Sequence, residues 1–137
     1  GIVLGPIWAG FAFVLYILAG LIGLPVFAGA NAGLGVLLGP TGGFLVGFPL
    51  AAVTIGVVTH GFDGIDPLSQ VPISRMVAGL VVGSAVVYAA GAVGFSLVQS
   101  VGLLASVSAV VVPFLPVAAL KMAATVAIVR SDAIVAR

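Results

Sequence analysis

The dominant pattern along the chain is a succession of long runs that are apolar on every side, separated by short segments rich in glycine, proline or polar residues. A transmembrane helix needs roughly 20 mainly apolar residues, within a range of about 17–25. Four runs meet that length. The first extends from about Pro6 to Leu24 and stops at Pro25. The second runs from about Thr41 to Thr59, with Pro49 inside it as an expected kink. The third covers about Met76 to Leu97, and the fourth starts at Pro113–Pro116 and reaches Val129, bounded by Arg130. No run alternates with the period of two that membrane barrel strands show, so all four are read as helices. Between the third and fourth, Val98–Val112 is apolar but short and carries Ser100, Ser106 and Ser108. It reads as an interfacial or re-entrant segment rather than another crossing.

Composition agrees with this pattern. Of 137 residues, 63% are hydrophobic and only 5% charged, against about 25% charged in an ordinary soluble domain. A water-facing surface cannot be covered by so few charges, so lipid must be the solvent for most of the chain. The expected fold is an all-α integral membrane protein, a helical bundle with four transmembrane helices forming one transmembrane domain over residues 1–137. The net charge of +1 offers no basic stripe for phosphates, which excludes a nucleic-acid partner. The absence of cysteine excludes disulfides, thiolate metal sites and thiol nucleophiles. The chain opens at Gly1 in apolar sequence with no basic residues before the first run, so that run is not read as a signal peptide. An N-terminal portion ahead of Gly1 is expected.

The few charges orient the bundle. Arg75 lies between the second and third runs, and Arg130 and Arg137 follow the fourth; with four crossings these regions share one side. The other connections, Val26–Pro40 and Val98–Val112, carry no charge. The positive-inside rule makes the Arg75 loop and the C-terminus cytoplasmic and the Val26–Pro40 loop outward-facing. Helix contacts should use small residues spaced four apart, namely Gly43 and Gly47, Gly79 and Gly83, and Ala119, Ala123 and Ala127.

Two features carry candidate chemistry. Lys121 stands about five residues into the fourth run, near its outer end, where a lysine costs roughly 2.5–3.5 kcal/mol on insertion scales at the helix centre. Snorkelling to the outer headgroups is one reading. The other is a face turned into the bundle, suggested by the small neighbours Ala118, Ala119, Ala123 and Ala124. No carboxylate lies in any span, since Asp63, Asp66 and Asp132 all fall on the cytoplasmic side. An inward ammonium without an internal partner invites a carboxylate-bearing solute.

The second feature is the segment FAGANAGLGVLLGPTGG, residues 27–43, whose glycines at 29, 33, 35, 39, 42 and 43 exceed what a connector needs. Irregular backbone at membrane depth is tolerated where it covers a cavity. Asn31, the one amide side chain in this segment, offers two donors and an acceptor, which suits a urea or amide group; capping a turn is the competing reading. The segment lacks the lysine and hydroxyl of a phosphate-binding loop. His60, Asp63 and Asp66 sit in a polar loop without helical register or a further ligand, so a solvated loop is expected there and no metal site. No serine–histidine–acid motif is present, so catalysis is not expected, nor any cofactor.

These residues resemble a known family. The run GLPVFAGANAGLGVLLGPTGGFLVGF (Gly23–Phe48) resembles the signature of the BioY family, the biotin-binding S components of energy-coupling factor (ECF) transporters. The opening GIVLGP with LYILAGLIGLPVF fits the preceding part of that pattern, and VPFLPVAALKMA (Val112–Ala123) fits the motif PFLPGDxxK. The resemblance implies a six-helix S-component fold of which this chain holds the last four helices. It also implies capture of biotin from the outside, with transport driven by a transmembrane coupling subunit and two cytoplasmic ATPase subunits. By the same resemblance Lys121 and Asn31 contact the ligand, and Gly39, Pro40, Gly42 and Gly43 form the loop–helix junction. Two departures stand out: Ala118 replaces the motif aspartate with Val117 before it, and Leu45 stands where some members carry a ligand-contacting arginine. The alternatives are an S component for another small carboxylate vitamin and a structural or degenerate membrane subunit.

Overall fold

The computed structural model describes residues 1–62 and 64–131, so Asp63, Asp132 and Arg137 lie outside the described residues. Apolar helices account for most of it: α1 (Gly5–Leu21), the single turn α2 (Leu34–Leu37), α3 (Gly42–His60), α4 (Ile73–Gln99), α5 (Leu103–Val110) and α6 (Leu115–Arg130). A 3-10 turn, Val112–Phe114, joins α5 to α6. Three helical stretches are long and apolar enough to cross a membrane, Gly42–His60, Ile73–Gln99 and Leu103–Arg130; Gly5–Leu21 is a shorter apolar helix of 17 residues. The protein is a multi-pass membrane protein.

The helices stack antiparallel in chain order. Pro6 opens α1, where its missing N–H is no loss, and Gly56 of α3 lets Gly5 and Pro6 rest on its backbone. Along the α3–α4 pair, Gly43 lies against Ala90 and Gly94, Gly47 against Ala90 and Val87, Gly79 against Thr59 and Gly83 against Ile55 and Ala51. Both glycine pairs expected to pack do so, at one interface. Lipid supplies no hydrophobic drive between helices, so close backbone approach is what makes this contact favourable. α3 runs unbroken through Pro49.

One end of the bundle is tied by arginines. Arg75 Nε donates to Val58 O at 3.3 Å near the end of α3, and Arg130 Nη2 donates to Val71 O at 2.7 Å. Ile2, Leu68, Val71, Met76 and Val129 form a small core there. We call this the arginine end, and the opposite one, where residues 22–41 link α1 to α3, the loop end.

His60 corrects one expectation. It is buried rather than solvated. Its Nε2 meets Ile2 O and its Nδ1 accepts the Asp66 N–H at 3.2 Å, so the ring clips the start of the chain to the end of α3. Both ring nitrogens are occupied by backbone groups. His60→Leu strips partners from two backbone groups and should cost about 2 kcal/mol. Thermal unfolding of the purified variant in detergent checks this; an unchanged midpoint would reject the clip.

The second correction concerns Val98–Val112. It holds the end of α4, a tight reversal and all of α5, so most of it is helix rather than connector. Ser100 takes a left-handed conformation (φ 53°) at the reversal, and Ser96 Oγ donates to Val101 O at 2.6 Å. Ser106 is fully buried and donates to Ala92 O of α4 at 2.6 Å, while Ser108 donates back to Leu104 O at 3.0 Å. The hydroxyls of Ser96, Ser106 and Ser108 are thus each satisfied by a carbonyl. α6 itself starts at Leu115, within the Pro113–Pro116 start expected for the fourth run, and together with α5 it makes an apolar stretch, Leu103–Arg130, long enough to cross a membrane. Ser106→Ala should loosen α5 from α4 by roughly 0.6–1.7 kcal/mol, the range for interhelical hydrogen bonds in a bilayer. Reversible unfolding in bicelles reads that difference, and a value indistinguishable from zero would rule out the tie.

Candidate functional site

The loop end is built around Gly20. Its carbonyl accepts N–H groups from both Gly23 (3.2 Å) and Gly33 (2.7 Å), so residues 23–33 leave α1 and return to the same point. Within that loop the Phe27 N–H donates to Asn31 O at 3.1 Å, closing a five-residue turn. Ala30 sits inside this turn at φ 58°, a conformation that is uncommon for a side-chain-bearing residue. Asn31 is exposed, and its Nδ2 donates to Ala28 O at 2.8 Å. The amide thus does cap a turn, and that same contact fixes its orientation. Its Oδ1 has no hydrogen bond among the described residues and can accept one from a ligand N–H.

The loop–helix junction follows. Gly39 accepts the Gly42 N–H at 3.0 Å, with Pro40 exposed between them. A side chain at Gly42 would run into the Leu37 carbonyl, and one at Gly43 into the backbone of Ala90 and Gly94. These two glycines are accounted for by packing, since they seat the loop against α3 and α3 against α4. Leu45, at the position of the arginine found in some BioY-like sequences, is buried.

Lys121 is placed apart from this loop. It lies nine positions before Arg130 and eighteen after Leu103 in a continuous rod, which puts it about 13 Å from the arginine end and about 27 Å from the start of α5. Along that stretch Lys121 is nearer the arginine end than the start of α5.

The face of α6 turned to the bundle carries Ala118, Met122, Thr125 and Val126, partly buried, and Val129, buried. Lys121 is exposed on the flank of that stripe, and Ala119, Ala123, Ala124 and Ala127 are exposed as well. The alanine spacing therefore does not mark a contact within this chain; α6 meets α4 through the larger residues one step around the helix. Ala118 and Lys121 are three positions apart and neighbours on the helix surface, so an acidic residue at 118 would reach the ammonium. Alanine leaves it without that partner. Two apolar hollows lie beside the rod. One of about 310 Å³ is lined by Tyr88, Ala89, Ala92, Leu103, Val107 and Val111 among others, and one of about 260 Å³ runs between Ile2–Leu4, Ile55, Leu80 and Thr125. Neither of these two hollows is lined by Asn31 or Lys121.

Against these features stand the comparisons with known proteins. The BioY family model matches residues 1–136. The chain belongs to the BioY family. A biotin transporter BioY of Rhodobacter capsulatus is 37% identical over 97% of this chain and 72% of its own length. A biotin transporter BioY of Thermotoga maritima is 48% identical over 42% of this chain and 34% of its own length. Among solved structures, the S-component for biotin from an ECF-type ABC transporter superposes with a TM-score of 0.79 at 28% identity, covering 93% of this chain and 66% of that one. This BioY-family chain thus spans about two thirds of the length of that solved relative.

Sequence reasoning passed over Phe27 and Gly20. The available signal was an aromatic residue inside an otherwise small-residue loop, at a position where a large apolar side chain must find a seat.

Proposed function

We propose that this chain is the substrate-capture part of a membrane biotin importer, an S component that takes biotin from outside the cell. The observation that carries the reading is the match, over 93% of the chain, to a solved S-component for biotin. Arg75 and Arg130 at one end support a cytoplasmic arginine end and C-terminus, with the glycine loop facing outward. Transport would be driven by an ECF transmembrane coupling subunit and ATPase subunits, and this chain itself performs no hydrolysis. Asn31 Oδ1 would accept a ureido N–H at the loop, with the junction Gly39, Pro40, Gly42 and Gly43 setting the loop's height above the helices. Lys121 would hold the carboxylate. The exposed flank of α6 that carries Lys121 would be closed from lipid by further helices of a longer, six-helix protein.

Direct titration of the purified protein with biotin tests the reading, run beside a panel of other small carboxylate vitamins. Biotin binding at micromolar or lower concentration supports it. Ala118 favours one second reading, in which the ligand is another carboxylate vitamin. Binding of such a vitamin in place of biotin would select that alternative, and binding of no solute would leave a structural subunit.

A further inference from the structure

Nothing in the resemblance assigns a role to the seat of Phe27. Phe27 is buried (3% exposed) although it stands in a loop whose next residues, Ala28, Gly29, Ala30 and Asn31, are all exposed. The far edge of the ring rests against Gly20, where an added Cβ would clash with Cζ, Cε1 and Cε2. Tyr16 meets it edge-on with centroids 5.5 Å apart, Tyr16 in turn meets Phe13 at 6.3 Å, and Phe13 packs on Phe48 of α3 at 5.6 Å. The aromatic run therefore joins the loop to both α1 and α3. The same Phe27 holds Asn31 through its own N–H. Gly20 acts twice, through its missing side chain under the ring and through its carbonyl at the loop's closing bond from Gly33.

We infer that Phe27 and Gly20 form a clasp that positions Asn31 for ligand, so that Phe27 is a positioning residue that never touches the solute. The inference rests on the biotin reading of Asn31. Seated, the ring fixes the five-residue turn and with it the direction of Asn31 Oδ1. Unseated, the glycines at 23, 29 and 33, each with positive φ, leave the loop free to sample many conformations. The ordering cost is then met when ligand binds, which weakens affinity without altering a single ligand contact. Because the clasp sits outside the α3–α4 interface, its loss leaves the helices intact.

A compensating pair of substitutions provides the test. Gly20→Ala puts a methyl where the ring sits, and Phe27→Leu shortens the side chain that meets it. Gly20→Ala and Phe27→Ala should each weaken biotin binding by about tenfold, mainly through faster dissociation. Amide hydrogen exchange over residues 23–33 should rise in both, with exchange in α3 and α4 unchanged. The double variant Gly20→Ala/Phe27→Leu should recover most of the lost affinity and protection. Affinity indifferent to Gly20→Ala while the loop's exchange rises would overturn the clasp alone, as would a double variant no better than Gly20→Ala. An unsubstituted protein that binds no biotin would overturn the biotin reading first, and the clasp's ligand role with it.

Discussion

Lys121→Ala is expected to weaken biotin binding by about 100-fold or more, since truncating one partner of a desolvated, hydrogen-bonded charge pair is among the costliest changes at a binding site. The expectation follows from depth and company. Lys121 sits within a 28-residue apolar stretch, and Ala118 offers it no carboxylate. An ammonium there has most to gain from an anionic guest. Equilibrium binding on the purified variant gives the size of the loss, and biotin methyl ester gives its origin. The ester carries no charge at the group Lys121 is assigned to, so it should bind weakly and nearly equally to both proteins. If the ester loses as much as biotin on substitution, the lysine is shaping the site rather than reading a carboxylate. Equal binding of biotin by the two proteins would sink the assignment entirely.

Much of the fold was legible in the sequence, because the bilayer permits so few solutions. The second and third helices fall within three residues of the expected ends. Gly43, Gly47, Gly79 and Gly83 pack as their spacing suggests. A helix does start where the sequence places the fourth run, with Pro116 in the first turn of α6, where its missing N–H is no loss. What the pattern did not show is the helix before it: α5 already runs along α4, held by Ser106, and Pro113 falls in the 3-10 turn between α5 and α6. Pattern alone does not tell a serine that seeks headgroups from one that bonds a neighbouring carbonyl.

The candidate site was less legible. Asn31 was found as the only amide in its segment, yet what aims it is Phe27, whose burial depends on a glycine seven positions earlier. Such a contact has no periodicity to betray it. Ala119, Ala123 and Ala127 show the converse error, a spacing that matches a contact rule on a face this chain leaves open. His60 went the same way. Its polar neighbours suggested water, but its two ring nitrogens answer backbone groups that only the folded chain brings near.

Gly43→Leu should destabilise the helical bundle by about 3 kcal/mol, at the upper end of overpacking costs, and abolish ligand binding through the fold rather than through the site. What meets the new side chain decides the magnitude. A Cβ at Gly43 would run into the Ala90 carbonyl and lie 3.0 Å from the Gly94 Cα, all of it helix backbone. At Gly91 the obstacle is the Phe44 ring, a side chain that can turn aside, so substitution there should be milder. At Gly35 nothing lies within 4 Å, and Gly35→Ala should move stability by less than about 0.5 kcal/mol. Backbone on backbone has no rotamer to yield, so α3 and α4 must separate along their length. With no hydrophobic drive in lipid to hold the parted surfaces, the lost packing is not recovered elsewhere. Thermal unfolding of the three variants in one detergent orders them. An unfolding midpoint for Gly43→Leu as high as that of Gly35→Ala would mean that the close crossing does not hold the bundle together.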